Sequence, residues 1–320
     1  MVNWVEIVTV AIKTISFASP ILLIMFTGLF VSEILIELDW IRRLEKIGKP
    51  LTSLANLSQV CGVAFIAAIG SPTAANTMLQ DLRENKVLTD KEVLLASLLN
   101  TTVVPVKETF TYHLPVILPA LGLYVGIVYI GTLWLGTLVL LLFVIVCGKI
   151  LLRDRNVDID AGGVSVEEVV FEKSIRNATK KSLKRFGRIG FTFLSVTFVV
   201  FILMNLGLIE RIEEYVTPFA KLLNLPPIVF PPIAAYIASP LVGFSMVGSL
   251  IYSGVITKEE AIISLLFGSI FMLPVLYLRL YFPQWISIFG LRLGVLRGLI
   301  SMILVMLTRI MILLIFLGIA

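Results

Sequence analysis

One dipeptide, Ser-Pro, interrupts an apolar stretch twice in this chain, and those two interruptions limit the fold more than any other feature. Residues 57–85 break at Gly70-Ser71-Pro72, and residues 225–253 break at Ala238-Ser239-Pro240. Each arm beside a break has about 14 residues and, as a helix, reaches roughly 21 Å. That falls short of a hydrocarbon core of roughly 30 Å. A pair of such arms suits a re-entrant hairpin that enters and leaves on the same side. Ser is a favoured N-cap and Pro a favoured first helical residue, so each break reads as a helix start. A helix start deep in a membrane offers free N–H groups and a positive dipole end to an anion or polar group.

Composition supports the membrane setting. The chain has 320 residues, of which 58% are hydrophobic and only 15% charged, against about 25% charged in soluble domains. The net charge of +5 points to orientation against a membrane and not to nucleic acid. Cys61 and Cys147 sit far apart in apolar runs with no metal-ligand spacing, and read as buried small hydrophobes. The opening residues carry Glu6 and lack a basic leader, so a cleaved signal peptide is not expected.

The second half repeats the first at an offset of 168. Residues 40–100 aligned with 208–268 share 17 of 61 positions, among them Pro50/Pro218, Ser71-Pro72/Ser239-Pro240, Thr89/Thr257 and Glu92/Glu260. We expect residues 1–13 to form a surface amphipathic helix and the first span to start near Ile15. A basic interfacial segment follows at 39–50, then the first hairpin. A helix capped by Thr89 and Glu92 should break at Asn100-Thr101-Thr102 and Pro105 before resuming to Pro119. A long span over 123–148 completes the half. The domains are therefore 1–150, a hydrophilic cytoplasmic linker at 151–186, and a second repeat at 187–320.

Each half would hold three crossings and one hairpin, and an odd number of crossings inverts the second copy. The distribution of Lys and Arg gives a separate indication, because the cytoplasmic side carries their excess. Segments 37–50, 81–92, 149–188 and 291–297 share one side in this topology and hold 19 of the 26 basic residues. The expected fold is all-α and membrane-integral, with two inverted repeats and both termini outside.

Lys107, Glu108, Arg279, Arg309 and Glu33 are then left inside spans, where ionisable groups are costly and face a partner or a cavity. Lys107 or Arg279 is a candidate counter-charge for an anionic solute, and Glu108 a proton or cation site. The competing reading is a buried ion pair of Glu108 with Arg279. Neutral candidates near the breaks are Ser71, Thr73, Asn76, Asn100 and Thr101, with Ser239 and Ser245 in the second copy. Such residues also serve to bond neighbouring helices. No phosphate loop, HExxH or GxSxG is present, so an enzyme is not expected. No metal site is expected either.

The stretch GSPTAANTMLQDLRENKVLTDKE, followed by NTTVVPV, resembles the Gate, or nucleoside-recognition, domain. That family includes or neighbours concentrative nucleoside transporters, the membrane part of ferrous-iron transporter B, and spore maturation proteins A and B. The resemblance covers most of both halves and implies an inverted-repeat fold with two hairpins. The tip cysteine that it implies for iron is absent, since Gly70 is followed by Ser71.

Two functions are compatible with these residues. One is a secondary transporter moving a small polar or anionic solute, nucleosides included, by alternating access at a midplane site between the hairpin tips. Its coupling ion would be H⁺ on Glu108 or Na⁺ at the carbonyls of Asn100–Thr102; no other cofactor is expected. The other is a non-transporting membrane subunit or sensor whose basic linker binds a partner. The expected partners are the bilayer, a solute, and a second copy or another membrane protein.

Overall fold

A computed structural model describes residues 4–37, 45–152, 171–206 and 227–319. Among these residues the fold is all-α, with no strand. Five stretches are long and apolar enough to cross a membrane: Trp4–Thr27, Leu123–Leu151, Ile175–Leu203, Lys258–Phe289 and Leu291–Gly318. Residues 39–44 of the expected interfacial segment and 153–170 of the linker lie outside the described residues.

Helix α1 (Trp4–Glu37) is continuous through Pro20. The expected surface helix at 1–13 is therefore not separate from the first span. Lys13 sits 4.7 Å from the Phe201 ring centroid, where the ring face stabilises the ammonium. After α2 (Glu45–Leu54) come α3 (Gln59–Gly70) and α4 (Pro72–Glu84), joined only by Ser71. Ser71 is extended, at φ −147° and ψ 106°, and its Oγ accepts from Ala74 N at 3.2 Å. The N-cap read from sequence is formed as expected.

The next stretch is less broken than its sequence suggests. Helix α5 (Asp90–Thr101) and α6 (Val103–Glu108) meet at Thr102, which keeps helical angles of φ −67° and ψ −18°. The larger irregularity lies further on, a π-helix over Thr109–Ile117. Then come α7 (Leu118–Leu121) and α8 (Leu123–Leu151).

Helix α9 (Phe171–Asn205) runs without interruption from the linker into the next apolar stretch. The chain continues with α10 (Phe230–Ala238) and α11 (Pro240–Tyr252), joined by Ser239. Next are α12 (Lys258–Leu276), a π-helix over Tyr277–Tyr281, α13 (Phe282–Phe289) and α14 (Leu291–Ile319). Pro274 lies inside α12 and does not break it.

Capping boxes start α5 and α12: Thr89 and Thr257 each accept from the backbone of Glu92 or Glu260, and the glutamate returns the bond. Gly122 and Gly290 turn the chain into α8 and α14 at φ +78° and +80°, angles that a residue with a Cβ rarely adopts.

Two hydrophobic cores divide the molecule. One gathers α3, α4, α5 and the end of α8 with Tyr277, Phe282, Trp285, Phe289 and Leu293 of the second half. The other gathers α10, α11 and the start of α12 with α1, α7, the start of α8, α9 and the end of α14. Helix α4 packs on α13, and α11 packs on α7. Helices α1 and α9 are antiparallel: Phe17 meets Phe193 and Phe201, and Phe26 meets Phe186.

Candidate functional site

The first Ser-Pro break opens onto a cavity of about 380 Å³. Three elements surround it. The break contributes Ala68 and Pro72, the α6–π stretch contributes Val103, Val104, Lys107, Glu108, Thr111 and Tyr112, and α9 contributes Arg185. A larger space of about 610 Å³ lies at the α7–α8 turn, but its lining is almost wholly apolar, with Lys258 its only charge.

Lys107 turns toward the end of α3. Its Nζ lies 3.4 Å from both the Ile69 and the Gly70 carbonyl oxygens. A cation at a helix C-terminus meets the negative end of the dipole and carbonyls that have no helical partner. Those distances exceed ordinary N–H···O lengths, so the bonds are weak. Glu108 accepts no hydrogen bond among the described residues; His113 Nε2 stands 3.9 Å from its Oε2. The expected Glu108–Arg279 pair does not form. Arg279 is exposed in the second π segment, with no ion pair among the described residues.

Arg185 differs from these two because its charge is answered. Nη1 bonds Glu33 Oε1 at 2.6 Å and Nη2 donates to the Thr111 carbonyl at 3.1 Å. The pair joins α1 to α9 and ties both to the π segment. Glu33, one of the charges left inside spans, is buried and faces a partner.

Behind the break lies a buried polar cluster. Asn100 Nδ2 faces Asn76 Oδ1 at 3.4 Å. Thr101 Oγ1 and the Ser97 carbonyl both accept from Arg297 Nη2, at 2.8 and 2.9 Å. The Arg297 guanidinium lies 3.8 Å from the Trp285 ring centroid, a stacked cation–π arrangement. Asn100 Oδ1 and Arg297 Nε and Nη1 have no hydrogen-bond partner among the described residues.

The remaining candidates are scattered. Thr73 Oγ1 accepts from Gln284 Nε2 at 2.6 Å and links the first break to α13. Ser239 makes no side-chain cap bond. Ser245 is fully buried and bonds back to the Leu241 carbonyl, the ordinary use of a membrane-helix serine. The structure thus brings Lys107 and Glu108 to the cavity, which Ser71 adjoins through Pro72 without lining it, and groups Asn76, Asn100 and Thr101 in the polar cluster. It does not bring Ser239, Ser245 or Arg279 to the cavity.

Sequence reasoning missed Arg185 and Arg297, having counted both with the basic residues of the cytoplasmic face. The available signal was helical phase, since Arg297 falls seven residues into a helix begun at Leu291. No group of histidine, cysteine or acidic side chains suited to a metal occurs among the described residues.

The chain resembles several proteins of Methanocaldococcus jannaschii. It is 28% identical over 291 residues to uncharacterized protein MJ0880, covering 89% of this chain and 94% of that protein. Uncharacterized protein MJ1556 is 27% identical over 295 residues, 91% of this chain and 90% of the relative. Uncharacterized protein MJ0871 is 26% identical over 279 residues, with shares of 85% and 84%. No family model matches the sequence, and no solved structure matches it.

Proposed function

We propose that this membrane protein is a secondary transporter for a small polar solute, with its binding site in the cavity at the first Ser-Pro break. The observation that carries the reading is the cavity itself. It places a helix break, an ammonium and a carboxylate around one space within an apolar helical bundle, the arrangement used for substrates at broken helices. A scaffold would have little use for Lys107 and Glu108 left without close partners there, since unpaired charge within a bilayer is expensive.

The proposal includes an inverted repeat. Helices α3 and α4 have 12 and 13 residues, so each arm reaches only about 20 Å. The two hairpins belong to different cores, one at each end of α8, which suits entry from opposite membrane faces. Exchanging the halves carries the α4–α13 contact onto the α11–α7 contact. The Gate-domain resemblance belongs to the same proposal, as does the placement of both termini outside.

Reconstitution into proteoliposomes tests the reading, using counterflow uptake of labelled nucleosides, amino acids and carboxylates. Ser71→Trp, which fills the break, should abolish uptake by a protein that still purifies as a folded species. Equal uptake by this variant would overturn the site assignment. A second reading, a non-transporting subunit, draws on one observation. Arg176, Lys180, Lys184 and Arg188 are all exposed at four-residue spacing on α9, a basic row available to a partner or to lipid.

A further inference from the structure

The charges of the cavity specify more than its location. This inference takes the cavity as the solute site and so rests on the transport reading. Lys107 and Glu108 are consecutive, so their side chains leave the helix about 100° apart. They do not pair with one another, yet both line the same space. Lys107 has only two long contacts, at 3.4 Å, and Glu108 has none shorter than the 3.9 Å approach of His113. The third charge, Arg185, is already neutralised by Glu33 at 2.6 Å.

What remains is one unspent positive group and one unspent negative group. An anion would satisfy Lys107 and leave Glu108 uncompensated, now beside a second negative charge. A cation would do the reverse. A solute carrying both signs leaves neither stranded, and an unpaired charge within a membrane is what such a site must avoid. The break adds to the positive end of the site. Pro72 has no N–H and Ala74 N bonds Ser71 Oγ, so the N–H of Thr73 is the first-turn donor left over at the start of α4. The rest of the lining includes Ala68, Val103 and Val104, which suits a short apolar side chain.

We infer that the solute is a small zwitterion, an apolar α-amino acid or a compound with the same pair of charges. Its carboxylate meets Lys107 and the start of α4, and its ammonium meets Glu108.

A series of analogues tests this by thermal unfolding of the detergent-purified full chain. The probes are L-valine, isovalerate and isobutylamine, titrated at constant ionic strength. L-Valine should bind at least about tenfold more tightly than either singly charged analogue, the ratio expected when one charge-assisted contact worth about 1.4 kcal/mol is lost. In Glu108→Gln the advantage over isovalerate should disappear, and in Lys107→Gln the advantage over isobutylamine. The wild-type comparison decides the matter even if a variant does not fold. Isovalerate or isobutylamine equalling L-valine overturns the inference, and so does an absence of any shift. L-Valine bound but never accumulated by proteoliposomes would remove transport and leave the zwitterion site. Uptake of a nucleoside blocked by Ser71→Trp, with L-valine inert, would do the opposite.

Discussion

The Glu33–Arg185 pair allows a prediction with an unequal outcome on its two sides. Glu33 is nearly closed off, its side chain 6% exposed, whereas Arg185 is 37% exposed to the cavity. Arg185→Ala leaves a carboxylate enclosed between α1 and α9 with its partner gone. Breaking a buried pair in this way costs about 3–5 kcal/mol, and the partial exposure of Arg185 places the value near the lower end, about 3 kcal/mol. Glu33→Gln leaves the guanidinium with its bond to the Thr111 carbonyl at 3.1 Å and with access to the cavity. Its cost is the loss of one charge-assisted bond, about 1.5 kcal/mol. The double variant Glu33→Gln/Arg185→Ala removes both charges and should fall only about 1–2 kcal/mol below wild type. The two changes therefore couple by about 3 kcal/mol, the upper end for residues in direct contact. Reversible unfolding in mixed micelles, followed by far-UV circular dichroism, measures all four proteins. The reasoning fails if Arg185→Ala costs no more than Glu33→Gln, or if the double variant is no more stable than Arg185→Ala.

Other consequences concern packing, caps and pH. A Cβ at Gly148 would stand 2.0 Å from the Ala55 carbonyl oxygen, while one at Gly131 meets nothing within 4 Å. Gly148→Ala should destabilise by about 1–3 kcal/mol, as overpacking does, and Gly131→Ala should not, by the same unfolding assay. Thr89→Ala removes a capping box whose two bonds to the Glu92 carboxylate measure 2.8 Å, and should cost about 1 kcal/mol. Asp90 accepts from Arg83 Nε at 2.7 Å, and that bond holds its carboxyl below the usual 3.8. Because the folded value is depressed, the contribution is present above the unfolded value and is lost as the pH falls through the folded one. With Asp90 63% exposed, it is worth at most about 1 kcal/mol. Asp90→Asn should therefore lower stability slightly at neutral pH and flatten its decline below about pH 4.

The parts of the fold legible in the sequence were those fixed by local chemistry. Ser71 before Pro72 is a helix start wherever it occurs, and Thr89 with Glu92 forms the same box in an isolated peptide as in a bundle. The π segments had no such mark, because an extra residue per turn leaves no recurring pattern of apolar positions. The interruption expected at Asn100–Thr102 shrank to one residue for a tertiary reason. Arg297 binds the Ser97 carbonyl and Thr101 and holds the two helical pieces in line. Arg185 and Arg297 were misplaced because a count of charges near helix ends assigns each to water. Their long side chains instead reached inward, one to Glu33 and one to Trp285. That Lys107 and Glu108 stand near the first break was legible because a break and the charges beside it are recorded in sequence. That Ser239 and Arg279 lie apart was not, since the second copy's asymmetry depends on packing partners.

The division into two cores bears on how the protein is made. The core around α3 and α4 contains Phe282, Trp285, Phe289 and Leu293, which are translated long after those helices. At about 5–20 residues per second, roughly 7–30 s separate the emergence of residue 152 from that of Arg297. During that interval α3, α4 and α5 are already synthesised, yet Thr101 lacks the guanidinium that fills the space behind it. Lipid, water or the insertion machinery must occupy that space and then leave it. A nascent chain stalled before residue 282 should accordingly expose α3 and α4 to protease or, at Cys61, to thiol reagents, and release of the full chain should close them off.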